Sequence, residues 1–469
     1  MDIDPHSDPH AVEAPPIGPA LRVAVVGSGP AAFYSADFLL RDKSAHVEVD
    51  MFERLPTPYG LVRFGVAPDH QSIKRVISAF ERIASHASFR FFGNVEIGRD
   101  LPVELLVAEY HAIVFATGSA SDKRLGVPGE DLPGSAPATA FVGWYNGHPD
   151  FQSQRFDLSS ERAVVVGMGN VAMDVARILI RAPHELSNSD ITHDALRALH
   201  ESRVREIVLL GRRGAAQAAF DQGELADIAE LADVAVSIDG DLPPIDLSTL
   251  DAAARKNVEY LQKLAAAPAK SATRRVRLRF QASPVEVLGQ EHVTGIVVEH
   301  NTLKQGADGS VSARGSGKFE EISCGLVFRS IGYRGVAIAG VPFDEARGVI
   351  PNEHGRILGT SGHPLPGFYT AGWIKRGPTG LVGTNKGDAK ETVQALLADA
   401  RLLQATHAPC HPGRIIERLR ELGLRALSFA DWQKLDLFEL EAGKAKGKVR
   451  EKLVSIEAML SALEAHRTI

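Results

Sequence analysis

The chain has 469 residues and a formal net charge of −6, with 44% hydrophobic and 23% charged residues. That balance fits a globular protein of two or three domains and excludes disordered and fibrous classes. It also excludes a general attraction to nucleic acid, and no apolar run approaches the roughly 18 residues of a membrane-spanning helix.

Residues 1–19, rich in Pro, His and Asp, read as a disordered tail. They lack the basic start and apolar core of a signal peptide, and the Arg-rich composition of a presequence, so a cytoplasmic location is expected. The two cysteines, Cys324 and Cys410, form no C-x-x-C. A dithiol relay and a cysteine-ligated cluster within this chain are therefore not expected.

Leu21 to Pro30 reads as an apolar strand running into a glycine turn, with Gly27, Gly29 and Ala32 in the three small positions of a G-x-G-x-x-G/A loop. A helix follows through Ala36, Leu39 and Leu40. The alternating run Val47 to Glu53 is the second strand, with Glu53 at its carboxyl end. In a βαβ unit an acid there accepts hydrogen bonds from ribose hydroxyls, which points to an adenosine dinucleotide. The alternative is a solvated strand-end acid. Pro56 to His70 is dense in Pro and Gly without being polar, the composition of a loop that lines something. Gln71 to Ala87 predicts one amphipathic helix, with Ile73, Val76, Ile77, Phe80 and Ile83 on its apolar face. Phe89 to Val95 and Ala112 to Gly118 are further strands, the second a natural exit from a first domain spanning 20–118.

Residues 119–332 form the second domain in this reading. Ala163 to Asp174 repeats the strand, glycine turn and helix, with Gly167, Gly169 and Ala172 in the small positions. The glycines let backbone approach a pyrophosphate, and the helix start supplies amide donors. The helix should run to about Arg181, followed by a polar insertion over 182–203 and a strand from Val204 to Leu210. Where the first domain has Glu53, this strand ends in Arg212 and Arg213. A fork-shaped cation pair suits a ribose 2′-phosphate, and an NAD ribose does not require it. A solvated Arg pair is the alternative. Residues 251–280 are locally basic, either as ordinary solvated charges or as a landing surface for an acidic partner. Strands at 276–280, 285–288, 295–298 and 326–331 complete the domain, and Ser330 to Gly332 resembles the Ala116 to Gly118 exit.

Residues 333–404 return to the first domain. A short strand ends at Trp373, then a Gly/Pro loop through Gly380 leads into a helix from Lys386 to about Leu403. Trp373 either stacks near a planar cofactor or packs. Residues 405–469 form a C-terminal extension, expected on the first domain. One acid-ended and one arginine-ended site imply two different nucleotides, and the sensible pair is FAD with an exchangeable NADP.

The segments Val26 to Ala31, Pro58 to His70, Phe141 to Asn146, Gly167 to Asp174, Gly211 to Gly214, Gly372 to Gly380 and Phe429 to Asp436 resemble the adrenodoxin reductase family of NADPH–ferredoxin reductases. The resemblance implies an α/β fold of two Rossmann-like dinucleotide-binding domains, the NADP domain inserted into the FAD domain. It implies hydride transfer from NADPH to FAD, then single electrons to an iron–sulfur ferredoxin. It places Ala31, Glu53, Leu61 and Val95 on FAD, and Trp373, Gly380, Leu381 and Val382 along the isoalloxazine. It places Asn170, Val171 and Ala172 on the NADP pyrophosphate, Arg212 and Arg213 on the 2′-phosphate, and Glu224 near the nicotinamide. His70 takes the place of the family's active-site histidine, and Asp227 that of its acidic partner. Two other functions remain open at this point: the NADPH-oxidising flavin subunit of a larger complex, like the small subunit of glutamate synthase, and a non-enzymatic nucleotide sensor.

Overall fold

The computed structural model describes residues 20–240, 245–268, 270–406 and 411–465. The tail expected over 1–19, and Cys410, lie outside them. The described chain forms two compact units, one of residues 20–59, 76–119 and 335–432, the other of 60–75, 120–334 and 433–465.

The first unit is built on a seven-stranded sheet, ordered Asn352–Glu353, Arg356–Leu358, Pro364–Thr370, Ala112–Phe115, Leu21–Val26, Val47–Glu53, Phe89–Gly93. Every residue of Leu21–Val26 is buried, as its unbroken apolar run requires of an inner parallel strand. It pairs parallel to Val47–Glu53 on one side and Ala112–Phe115 on the other. The helix Pro30–Arg41 leads to the first neighbour, and the chain later returns to the opposite side. The first glycine turn thus lies at a topological switch point, where open α/β sheets bind ligands.

The second unit repeats this plan. Its six-stranded parallel sheet runs Ser135–Pro137, Leu326–Arg329, Arg162–Val166, Glu206–Gly211, Arg274–Phe280, Val234–Asp239. Arg162–Val166 is the strand before the second glycine turn, again between a neighbour reached directly and one reached on the return. The two exits match in detail. The Ala116 amide donates to the Val26 carbonyl, and the Ser330 amide to the Val166 carbonyl, both at 2.8 Å. A three-stranded antiparallel sheet of Ala282–Gly289, Val293–Gln305 and Val311–Ser323 accompanies the parallel one. Its last strand was not expected, because it is mostly exposed and polar and carries no alternation.

Three expectations need correction. The single helix over 71–87 is two, Gln71–Lys74 and Ile77–Ala84, and the seam between the units falls between Arg75 and Val76. Phe80 stacks on Phe33 at 4.7 Å within the first unit, while Lys74 Nζ binds Asp190 at 2.6 Å within the second. Ile73, expected on the apolar face, is 42% exposed. The polar insertion contains a helix, His193–His200, capped by Thr192 and buried through Ala195 and Leu199. The C-terminal extension divides. Through Trp432 it belongs with the first unit, where Trp432 lies edge-on to Tyr59 at 5.7 Å. Residues 433–465 belong with the second, where buried Glu439 takes both arms of the Arg63 guanidinium at 2.9 and 2.6 Å.

Candidate active site

Two glycines in each turn have different reasons for being glycine. Gly27 has φ +100°, and a Cβ there would lie 2.5 Å from the Ala116 carbonyl oxygen. Gly167 has φ +140°, and a Cβ would lie 2.1 Å from the Ser330 carbonyl oxygen. Both are fixed by backbone conformation and by the neighbouring strand end. Gly29 and Gly169 differ. Their φ angles, −76° and −109°, suit any residue, and no protein atom lies within 4 Å of where a Cβ would stand. Nothing among the described residues asks for glycine at either place. The open space beside each helix start suits a ligand whose pyrophosphate approaches the backbone, so the residues fit the two dinucleotides. Ala32 and Ala172, in the third small positions, are fully buried where helix meets strand.

In the first unit, Glu53 ends its strand as expected. Its carboxylate accepts the Ser28 hydroxyl at 2.6 Å and the Leu55 amide at 3.0 Å. Burial raises its pKa, and those two hydrogen bonds pull it back only in part. Each oxygen keeps a lone pair for a ribose hydroxyl. The Val95 amide donates to the Glu53 carbonyl at 2.9 Å, which sets these two residues side by side. Ala31 lies in the first turn of its helix, so close to Gly372 that a Cβ on the glycine would stand 2.6 Å from the Ala31 methyl. Trp373 begins a four-residue helix, Trp373–Arg376, and its indole Nε1 donates to the Thr379 carbonyl at 3.1 Å. That bond closes the loop carrying Gly380. The following helix starts at Thr384, earlier than expected. Gly380 has φ +77°, and a Cβ would meet the Thr384 side chain at 2.6 Å. Leu381 beside it is 59% exposed.

In the second unit, Asn170 opens the helix Asn170–Ile180, with Val171 and Ala172 completing a first turn whose amides have no partner in the helix. The Asn170 side chain is turned sideways and holds Asp221, at the start of Gln222–Ala229, the helix that carries Glu224 and Asp227. Arg212 and Arg213 follow the strand Glu206–Gly211. No hydrogen bond or ion pair engages either guanidinium among the described residues. The basic stretch beyond them is different. Arg277 pairs with Asp239 and Glu206, Arg279 with Glu320, and Arg274 and Lys270 donate to the carbonyls of Ile180 and Leu231. Arg255, Lys256, Lys263, Lys270 and Arg275 remain exposed, Arg255 donating only to the Leu247 and Leu250 carbonyls. The expected landing surface over 251–280 is therefore reduced to these scattered cations.

The second unit also brings together His70, Glu224 and Asp227, the three expected catalytic residues. His70 Nε2 lies 3.3 Å from Asp227 Oδ2, so the Asp227 side chain reaches the ring. His70 Nδ1 lies 3.9 Å from both Asp174 and Glu224. Beneath them is Arg177, with a fully buried side chain that the sequence reading did not single out. It binds Asp69 at 2.7 Å, Glu224 at 2.9 Å and Asp174 at 2.5 Å. Burial raises the pKa of Asp174 and, with Asp174 as a like-charged neighbour, that of Glu224. Burial also pushes Asp69 up, but its hydrogen bonds to Arg177 outweigh this and leave it below the usual range. The missed signal was two opposite charges, Asp174 and Arg177, three residues apart on a helix otherwise almost wholly apolar. Leu61, expected on FAD, lies in the second unit with His70 and is 38% exposed. Cys324 is buried, and burial pushes its thiol up to about 12, far from a reactive thiolate.

Two dinucleotide sites of this construction define a pyridine-nucleotide oxidoreductase, and residues 21–214 match the family model described as pyridine nucleotide-disulphide oxidoreductase. A probable ferredoxin/ferredoxin–NADP reductase of Mycobacterium tuberculosis is 45% identical, covering 94% of this chain and 75% of its own. The mitochondrial NADPH:adrenodoxin oxidoreductase of Arabidopsis thaliana is 41% identical over 94% of this chain and 95% of its own. The structure of M. tuberculosis FprA in complex with NADPH superposes with a TM-score of 0.90 at 42% identity, covering 95% of this chain and all of that one. The chain belongs to the family of NADPH–ferredoxin (adrenodoxin) reductases. Among the described residues, no helix is long and apolar enough to cross a membrane.

Proposed function

We propose that this chain is an FAD-dependent NADPH:ferredoxin oxidoreductase. The observation that carries the reading is the contrast between its two glycine loops. Both leave the shoulder of the second glycine open, but one is followed by Glu53 and the other by two guanidiniums without a partner among the described residues. Acid and cations select different riboses, FAD in the first unit and NADPH in the second. Bound there, FAD would supply hydride acceptance from NADPH and single-electron release to an iron–sulfur protein.

The chain's own residues bind, orient and supply protons. Ala31, Glu53 and Val95 hold the adenosine half of FAD, with Leu61 as a further contact. Trp373 and Gly380 to Val382 line the flavin ring. The first-turn amides of Asn170, Val171 and Ala172 face the NADPH pyrophosphate. Arg212 and Arg213 take its 2′-phosphate. Glu224 orients the nicotinamide end. Hydride transfer requires no general acid or base, so His70 with Asp227 serves to position the nicotinamide and supply protons. Arg255, Lys256, Lys263, Lys270 and Arg275 are the exposed cations in 251–280 for an acidic ferredoxin. The cytoplasm is the compartment of this reading, and fractionation of expressing cells checks it.

The test is anaerobic titration of the purified protein. A yellow flavoprotein bleached by one equivalent of NADPH, and far more slowly by NADH, supports the reading. A protein that purifies without flavin, or whose flavin NADPH leaves oxidised, overturns it.

A further inference from the structure

His70 is held from two sides. Its Nε2 faces the Asp227 carboxylate at 3.3 Å, and its Nδ1 faces Arg177 Nη2 at 3.5 Å. A guanidinium has only donors and does not lose its proton in a protein, so the nitrogen facing it presents a lone pair to the two hydrogens that Nη2 shares among Asp69, Asp174 and Nδ1. The other ring nitrogen then carries the hydrogen and donates to Asp227. We infer that Arg177 is a positioning residue that sets the tautomer of His70, with hydrogen on Nε2 and Nδ1 bare. The inference rests on the proposed function for its consequence in the reaction, though not for the tautomer itself.

Arg177 is built for this task. Its side chain has no exposed surface, and it lies on the glycine-loop helix, which ties His70 to the NADPH-binding element. Nε and Nη2 fork onto Asp69, the residue before His70, at 2.7 and 3.1 Å. Nη1 holds Glu224 at 2.9 Å, and Nη2 also holds Asp174 at 2.5 Å. Arg181 adds a second cation on Asp69 at 2.7 Å. The other titratable groups that act on this cluster are the buried phenols Tyr145 and Tyr333, both raised chiefly by burial and charged only at alkaline pH. Without Arg177, the groups nearest Nδ1 would be the carboxylates of Asp174 and Glu224, each at 3.9 Å, which only accept hydrogen bonds and so favour hydrogen on Nδ1. Arg177 thus holds His70 as a donor toward Asp227, with the hydrogen on Nε2.

The direct test is 15N-histidine NMR of the FAD-loaded protein, with the His70 signals identified by their loss in His70→Gln. The expected wild-type pattern near pH 8 is one protonated nitrogen, Nε2, and one bare nitrogen, Nδ1. In Arg177→Lys, which keeps the charge but not the fork, and in Arg177→Gln, the Nδ1 signal should move toward that of a protonated nitrogen and the Nε2 signal toward that of a bare one. Stopped-flow reduction by NADPH should slow about tenfold in Arg177→Lys, and the same substitution should add less than about twofold in a His70→Gln background. A hydrogen on Nδ1 in the wild type overturns the inference. So does an Arg177→Lys protein with an unchanged His70 pattern, or one slowed equally with and without His70. Failure of the wild type to be reduced by NADPH would instead strike the proposed function and leave the tautomer result standing.

Discussion

Asn170 and Asp221 exchange two hydrogen bonds. The Asn170 carbonyl oxygen accepts the Asp221 amide at 2.7 Å, and its NH2 donates to the Asp221 carboxylate at 2.9 Å. One residue opens the glycine-loop helix, and the other precedes the helix bearing Glu224 and Asp227. In the proposed reading, this side-chain contact holds the pyrophosphate site and the nicotinamide site in register. Asp221→Ala removes one of these bonds and frees the Asn170 amide, a loss of about 1 kcal/mol. It should slow hydride transfer roughly fivefold while FAD content stays full. Stopped-flow flavin reduction checks this, and an unchanged rate would remove the contact from the account.

Gly29→Ala and Gly169→Ala test whether the open shoulders belong to ligands. Alanine fits the backbone at both positions, and replacing glycine restricts the unfolded chain, so the apoprotein should be unchanged or more stable by about 0.4–1 kcal/mol. Gly29→Ala should purify with little FAD. Gly169→Ala should keep its FAD and lose NADPH affinity about tenfold or more. Flavin absorbance and the KM for NADPH separate the two, and a Gly29→Ala protein with full flavin content would contradict the assignment.

Arg212→Ala with Arg213→Ala should erase most of the preference for NADPH over NADH. A hydrogen bond to a charged group contributes about 1.5–3 kcal/mol, so the ratio of the two kcat/KM values should fall by a factor of about 10 or more. Because neither side chain has a protein partner among the described residues, the melting temperature should hold. A retained preference would exclude the 2′-phosphate role.

Glu439 binds Arg63 and Arg450 in the second unit, with no exposed surface of its own. Glu439→Gln removes the charge that Arg63 and Arg450 share, although Arg450 keeps Asp436 at 2.7 Å, and should cost about 3–5 kcal/mol at pH 7. Burial raises the pKa of Glu439, but the Arg63 charge and hydrogen bonds outweigh it and leave it lowered. A lowered carboxyl stabilises the fold above its unfolded value, near 4.3, and loses that contribution as pH falls through its folded value. The gap between wild type and variant in urea denaturation should therefore narrow below about pH 4. A gap that stays constant down to pH 3 would mean that the ion pair is not its source.

The elements that carry cofactors were legible because local rules and global topology agree there. The run before Gly27 and the run before Gly167 are apolar strands, and the turns that follow have few backbone solutions. Glu53 and Arg212 were readable from their places at strand ends. Arg177 was not, since its role comes from Asp69, far away in sequence and adjacent only in the fold. The break between Lys74 and Ile77 was hidden for a related reason. The apolar period continues across it, but Asp190 and Phe33 draw its two halves into different units. The extension after Trp432 carried no local sign of its attachment, because Glu439 finds Arg63 only after folding.

The most direct test of the central claim is anaerobic, NADPH-driven cytochrome c reduction by the FAD-loaded protein, with and without an added [2Fe-2S] ferredoxin. The account predicts a rate that rises steeply with ferredoxin and falls with salt, as an acidic partner on a cationic surface requires. Rapid flavin reduction with a cytochrome c rate indifferent to ferredoxin would contradict it and assign the electrons to another acceptor.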